Sequence, residues 1–384
     1  MPDRAFSLPP ALYIHVPFCR RKCHYCDFAS VPLEADLVKR YLSALKREAE
    51  RELASWPAGW EVPSIYIGGG TPTVLEPEDL EEVLAVAALF PRAKGAEWTV
   101  EANPGTVNRE KLALLVNAGV NRLSLGVQSF DDDLLSFLGR IHTAREAEEA
   151  WDMARAAGFY NLNLDLIYAI PGQALSTWRR TLKRALSLRP EHLSAYSLTI
   201  EPGTEFGRRA QAGSLTPVAE ELDLSMYRAA QELLGEAGLK QYEISNFARS
   251  GFECRHNLVY WCNEPYLGLG PAATSYLRGV RRTNRENVGE YVRALAEGED
   301  PAAVREIATS SLAMAETVIL GLRLISGITW ERFANRFGCD LRDVFAERIR
   351  RLTGAGLLEA DERGLRLTSR GLPVANRVFQ EFLP

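Results

Sequence analysis

The sequence predicts an α/β protein: a parallel sheet curled into a partial, six-unit (βα)6 TIM-like barrel, followed by a C-terminal helical, winged-helix-like domain. Three observations carry this. Strand-like and helix-like runs alternate six times over roughly 220 residues, the pattern of a parallel sheet covered by helices. A closed eight-unit barrel would need about 250 residues with no appendage. The last third of the chain then changes to short helices and one hairpin. The expected division is 1–240 for the barrel, 241–300 for a connecting region and 301–384 for the C-terminal domain.

The first strand is the apolar run Ala11-Leu12-Tyr13-Ile14-His15-Val16, which leads directly into a loop carrying Cys19, Cys23 and Cys26 with gaps of three and two residues. Three thiolates converge on one centre only if the backbone curls around it, and Phe18, Tyr25 and Phe28 would shield that centre from water. The loop offers three ligands and no evident fourth. A structural zinc site is closed by four protein ligands, whereas an iron–sulfur cluster with one unligated iron keeps a position open. The alternatives are a Cys3His zinc knuckle using His24, or three unrelated thiols.

A long amphipathic helix is expected from Glu34 to Ser55, then the strand Ser64-Ile65-Tyr66-Ile67, which ends in Gly68-Gly69-Gly70-Thr71-Pro72-Thr73. Glycines there can bring backbone groups against a ligand. The next strands are expected at 97–101, 122–128, 161–167 and 192–199, with helices at 109–118, 131–138, 143–157, 177–188 and 219–237. Successive strand residues point to opposite faces, so Leu162, Leu164 and Leu166 oppose Asn161, Asn163 and Asp165. By the same alternation, Ser124, Gln128, Thr99, Glu101, Tyr13 and His15 also point inward. The lumen is therefore polar, where an ordinary barrel is filled with branched aliphatics. Unpaired buried polar groups cost about 1–3 kcal/mol each. A bound polar ligand would satisfy them, as would water or hydrogen bonds among themselves.

A second cluster follows: Cys254-Arg255-His256-Asn257-Leu258-Val259-Tyr260-Trp261-Cys262, then the glycine turn Tyr266-Leu267-Gly268-Leu269-Gly270-Pro271. His256 beside Tyr260 and Trp261 offers an iron ligand with flat aromatic surface; the alternative is a hydrogen-bonded core histidine. The C-terminal region shows helical patterns at 311–325, 329–337 and 341–353 and a hairpin around Asp361-Glu362-Arg363-Gly364. Arg348, Arg350 and Arg351 share the candidate recognition helix with Glu347, and the wing carries Asp361 and Glu362. A packing or partner role is expected there, with no nucleic acid.

With 384 residues, 46% of them hydrophobic, the chain can bury a substantial core. The N-terminus lacks a basic segment followed by an apolar stretch, and no later run is long enough to span a bilayer. Six cysteines, three of them in one loop, do not form a secreted disulfide framework, so a cytoplasmic protein is expected. A net charge of −5 gives no general attraction to nucleic acid.

The Cys-x3-Cys-x2-Cys loop after a first strand resembles the signature of the radical S-adenosylmethionine superfamily. That resemblance implies a 4Fe-4S cluster on Cys19, Cys23 and Cys26, with S-adenosylmethionine on the fourth iron. The Gly-Gly-Gly-Thr-Pro stretch is similar to the motif that holds the methionyl amino group. Likeness to the coproporphyrinogen dehydrogenase-like branch implies cofactor contacts at Tyr13, Gly69, Gly70, Thr71, Glu101, Gln128, Arg140 and Asp165, beside Tyr25 in the loop itself. The His-Asn-x-x-Tyr-Trp pattern resembles that of the branch's haem chaperones and implies haem contacts at His256, Asn257, Tyr260 and Trp261. Implied partners are haem, a haem-acceptor protein and an electron donor for the cluster. The dehydrogenases of the branch carry a fourth cysteine two residues after the third, and an N-terminal extension. Here Phe28 stands at that position and Cys19 comes early. Haem binding and transfer is therefore expected, with oxidative decarboxylation of a porphyrinogen as the alternative.

Overall fold

The structure, a computed structural model, describes residues 8–384. Met1 to Ser7, part of the stretch read above as lacking a leader, lie outside the described residues. Strand β1 (Ala11–Val16) opens the chain and runs into the thiol loop, whose two ends pair as β2 (Phe18–Cys19) and β3 (Val31–Pro32). Helix α1 (Ala35–Leu53) and strand β4 (Val62–Gly69) follow, then α2 (Pro77–Ala88) and β5 (Arg92–Ala102). Next come α3 (Arg109–Ala118), β6 (Arg122–Gln128), α4 (Asp132–Phe137) and α5 (Ala144–Ala156). The barrel part ends with β7 (Leu162–Tyr168), α6 (Leu175–Ser187), β8 (His192–Ser197), α7 (Glu205–Gln211) and α8 (Glu220–Glu236). Strands β1, β4, β5, β6, β7 and β8 lie side by side and parallel.

Local sequence explains the helices. In α1, Val38, Tyr41, Leu42, Leu45 and Ala49 recur at three- and four-residue spacing and form the buried stripe. Helix α5 starts at a capping box, in which the Thr143 and Glu146 side chains satisfy each other's backbone N–H groups. Helix α3 starts at Asn108, whose side chain accepts from Lys111 N–H, and stops at Gly119 in the left-handed region. The alternation in the strands holds as read: Leu162, Leu164 and Leu166 are buried against the helical layer, while Asn163 and Asp165 turn to the lumen.

The sheet does not stop at residue 240. Strands β9 (Lys240–Gln241) and β10 (Asn246–Ala248) extend it beyond β8. After helix α9 (Arg255–Trp261), β11 (Tyr266–Leu269) joins the free edge of β1 in parallel, and β12 (Thr274–Leu277) and β13 (Val280–Asn284) continue antiparallel. Helix α10 (Val288–Ala296) precedes β14 (Ala302–Ile307), the last strand on that side. The expected boundaries at 240 and 300 thus both fall inside a 12-stranded sheet. The Tyr266–Leu269 stretch, read as part of a glycine turn, is a strand because Leu267 and Leu269 bury their side chains beside β1. The turn follows the strand at 270–272, with Gly270 at φ 98° and Ala272 at φ 59°.

The C-terminal region builds its own core from α11 (Ser310–Gly321), β15 (Ile328–Thr329), α12 (Trp330–Phe337), α13 (Leu341–Val344) and α14 (Ala346–Gly354). The hairpin β16 (Leu358–Ala360) and β17 (Gly364–Leu367) forms the wing, and α15 (Ala375–Gln380) closes it. Phe333, Phe345, Leu352, Leu365 and Phe382 pack at its centre. Two arginines of α14 are occupied at the chain's end, Arg348 by the Phe382 carbonyl and Arg351 by Glu381.

One buried carboxylate ties the extra strands to the barrel. Glu48 of α1 accepts from Gly270 N–H at 2.8 Å, Asn284 at 2.6 Å and the Tyr291 hydroxyl at 2.6 Å. Burial pushes its carboxyl up to about 7. A folded-state value above the unfolded one means the native protein holds the proton more tightly, so this contribution to stability falls as pH rises from about 4.5 to about 7 and is flat above. Denaturant unfolding across that window is expected to show the decline in the wild type and to lose it in Glu48→Gln. An unchanged slope in the variant would assign the pH dependence elsewhere.

Candidate functional site

The C-terminal ends of the parallel strands open onto a cavity of about 490 Å³. Its lining includes Cys19, Cys23 and Cys26 from the thiol loop, with Tyr25, Gly69, Gly70, Thr71, Glu101, Gln128, Arg140 and Asp165. All three thiols are free and half-buried. Burial pushes Cys19 up, and Cys26 up to about 11, so they stay protonated at neutral pH unless a bound cation holds them as thiolates. Among the described residues, no three His, Cys, Asp or Glu side chains stand close enough to hold a single metal ion. His24 is not turned toward one either: its Nδ1 bonds the Phe137 carbonyl at 2.9 Å and its ring packs on Phe206. These facts count against the zinc knuckle. Three free thiols lining one cavity suit a cluster in which each thiolate binds a different iron.

The glycine turn lines the cavity and also packs against the thiol loop. The N–H of Gly69 donates to Glu101 Oε2 at 3.1 Å, that of Gly70 to the Val16 carbonyl at 2.9 Å, and that of Thr71 to the Phe18 carbonyl at 2.7 Å. These amides are therefore committed inside the protein. The missing side chains admit the thiol loop: a Cβ on Gly70 would lie 2.6 Å from the Phe18 carbonyl oxygen, and one on Gly69, at φ 103°, 2.4 Å from the His15 ring.

Four carboxyl side chains line the cavity, Asp27, Glu101, Asp165 and Glu201. Glu101 takes the Tyr66 hydroxyl at 2.7 Å on Oε1, and burial, with the nearby Asp165 charge, pushes its carboxyl up to about 7. Asp165 accepts from Asn163 at 2.8 Å and from the Ser124 hydroxyl at 2.9 Å. The polar lumen is thus hydrogen-bonded internally in its deeper part, one of the outcomes the sequence left open. Gln128 sits at φ 66°, a left-handed backbone at the end of β6 that turns its side chain into the cavity. Arg140 is not a solvated arginine. Its guanidinium bonds Cys23 Sγ at 3.4 Å, the Gly126 carbonyl at 2.6 Å and the Asn103 side chain, and no carboxylate pairs with it among these partners.

Tyr13 is not part of that cavity's lining. It lines a separate lateral cavity of about 430 Å³ with His15, Phe28, Gly69, Glu101, Tyr260 and Tyr266. Phe28, 58% exposed, borders both cavities.

His256 is 1% exposed, and both its nitrogens are held: Nδ1 by the Ser64 hydroxyl at 3.0 Å, Nε2 by the Tyr260 hydroxyl at 2.9 Å. Its ring lies 5.2 Å from that of Tyr66, and burial lowers its pKa to about 3. In this arrangement His256 is a hydrogen-bonded core histidine, one of the two alternatives its sequence context left open. Glu97 caps the start of α9, accepting from Arg255 N–H at 3.2 Å and His256 N–H at 3.3 Å. Trp261 lies under Arg323 of the C-terminal region, 4.2 Å from the ring centroid. Arg336 donates to the Asn263 carbonyl at 2.7 Å, and Arg332 reaches Glu264 at 2.9 Å, so the end of α9 is also where that region docks. Asn257 is half-buried on α9. Tyr66, Asn103 and Tyr196 line or support the site and were missed by the sequence reading. Tyr66 shares the inward parity of Gly68, a signal that could have found it.

The fold and the thiol loop define a class, the radical S-adenosylmethionine type of partial barrel. The radical SAM superfamily profile matches residues 13–185, and that of the HemN C-terminal domain matches residues 311–374. The structure superposes on that of coproporphyrinogen III oxidase (HemN) from Escherichia coli with a TM-score of 0.85 at 24% identity, covering 99% of this chain and 91% of that one. Heme chaperone HemW of Bacillus subtilis is 40% identical over 97% of this chain and 98% of its own length. HemW of Escherichia coli is 42% identical over 70% of each chain. The chain belongs to the HemW family of radical SAM proteins.

Gly70→Ala tests what the glycine turn is for. The added methyl meets backbone, so a stability loss of about 1–3 kcal/mol is expected with no ligand present. Unaltered thermal unfolding of the cofactor-free variant would return the turn to a purely ligand-facing role.

Proposed function

We propose that this protein is a haem chaperone, which binds haem and passes it to an acceptor protein, and that it keeps a 4Fe-4S cluster on Cys19, Cys23 and Cys26 with S-adenosylmethionine beside it. The observation that carries this reading is the single cavity shared by three free thiols, Glu101 and Asp165. Kinship with proteins named heme chaperone HemW supports the haem side. The thiol set fits the cluster, Thr71 and Gln128 offer hydrogen-bonding groups to the cofactor, and the carboxylates can accept from its hydroxyl and amino groups. The cluster would supply an electron to the cofactor's sulfonium when reduced. This chain's residues would orient both groups and hold water back, with Tyr25 and Phe28 beside the thiols.

Phe28 stands where porphyrinogen-decarboxylating relatives have a further cysteine, which favours chaperone over oxidase. Haem contact falls to the outer face of the α9 motif. Tyr260, whose ring borders the lateral cavity, is in reach of a porphyrin edge, and His256 holds it from beneath.

Anaerobically reconstituted protein is expected to show broad charge-transfer absorption that disappears when Cys19, Cys23 and Cys26 are all replaced by Ala. Added haem should give a saturable Soret band, without conversion of coproporphyrinogen. The Soret position should be the same in folded His256→Gln. Absence of a saturable band, or turnover of coproporphyrinogen, would overturn the chaperone reading. A shifted band in His256→Gln would instead restore that residue as the iron ligand.

A further inference from the structure

A chain of buried hydrogen bonds runs from the start of α9 to Asp165, and its directions follow from chemistry. Asp165 presents its two carboxyl oxygens as acceptors, so Asn163 must offer its NH2 group, at 2.8 Å, leaving its Oδ1 as acceptor. His192 Nδ1, 2.6 Å from that oxygen, therefore carries the proton. Its Nε2 is then an acceptor, and the Tyr242 hydroxyl donates to it at 2.9 Å. Tyr242 Oη is left free to accept, and Cys254 N–H reaches it at 3.3 Å, at the residue preceding α9. The second branch agrees: Asn163 also donates to Ser124 Oγ at 2.6 Å, and Ser124 donates to the other Asp165 oxygen at 2.9 Å. Every donor meets one acceptor along the whole path.

His192 is fully buried, opposite Asn163 in the β7–β8 register. Burial, with the Arg122 charge, holds its pKa far below the ordinary value, which keeps the imidazole neutral. A neutral imidazole with one donor and one acceptor is what the chain needs. The Ser194 hydroxyl also reaches Asn163 Oδ1, at 3.3 Å, so His192 makes the shorter of the two bonds that hold the amide oxygen away from the carboxylate.

We propose that His192 is a positioning residue for the cofactor site: it locks the Asn163 amide so that Asp165 presents its carboxylate to S-adenosylmethionine in one fixed orientation, anchored through Tyr242 to the start of α9. This rests on the reading that Asp165 meets that cofactor.

The test is calorimetric binding of S-adenosylmethionine to the anaerobically reconstituted full chain. Asp165→Asn comes first and is expected to weaken binding about tenfold, the equivalent of one lost charge-assisted hydrogen bond. His192→Leu should weaken it by a similar factor, about tenfold, and by less than about twofold in the Asp165→Asn background. His192→Asn keeps a donor near the position of Nδ1 and should remain within about twofold of wild type, which a general packing defect would not predict. Full affinity in His192→Leu, or the same loss with Asp165 already replaced, overturns the proposal. Should His192→Leu fail to fold, Tyr242→Phe takes its place: a loss of about threefold that vanishes in Asp165→Asn supports the relay, and unchanged binding overturns it. If Asp165→Asn itself binds normally, the fault lies in the assignment of Asp165 to the cofactor.

Discussion

The site depends on a backbone staple. Gly70 and Thr71 give their N–H groups to the carbonyls of Val16 and Phe18, and this lays the thiol loop against the end of β4. Each bond is of ordinary strength, about 1 kcal/mol net. Their effect is geometric: the loop's first thiol follows Phe18 directly, so the staple sets where Cys19 enters the cavity. No side chain larger than hydrogen fits at Gly70, because the Phe18 and Val16 carbonyls and the Phe18 amide occupy the space. The glycines admit protein before they admit any ligand.

From that staple the polar lumen falls into two parts. The upper part, bounded by the thiols, Gln128, Glu101 and Asp165, is open cavity. The deeper part, with Asn163, Ser124, His192 and Tyr242, is closed by hydrogen bonds of its own. Buried polar groups are tolerated when each is paired, and a fully paired network stiffens what it touches. A rigid polar floor under a polar cavity is a reasonable design for holding a cofactor whose reactivity depends on orientation.

The α9 motif joins three parts of the molecule. Its N-terminus is capped by Glu97 of β5, its buried histidine packs against β4, and its last residues receive Arg323, Arg332 and Arg336 from the C-terminal region. Of the four motif residues, Tyr260 borders the lateral cavity. The motif's residue types suggest haem chemistry, yet most of their polar and aromatic capacity is spent on holding the barrel, the lateral cavity and the winged-helix-like region together. A haem bound here would meet a surface whose stiffness comes from these contacts.

Much of this was legible in the chain itself. Period-two alternation gave the inward face of each strand, and helical spacing gave the α1 stripe, because both follow from backbone geometry within one element. The thiol spacing and the glycine run marked the site, since residues close in sequence stay close in space. Three things needed the tertiary structure. That β11 pairs with β1 joins residues more than 250 positions apart, a separation over which no local pattern operates. Whether His256 is free or held depended on Ser64, 192 positions away, and whether Arg140 is solvated depended on Cys23 and Asn103. Residue type sets what a side chain can bond, and packing alone sets which partner takes the bond.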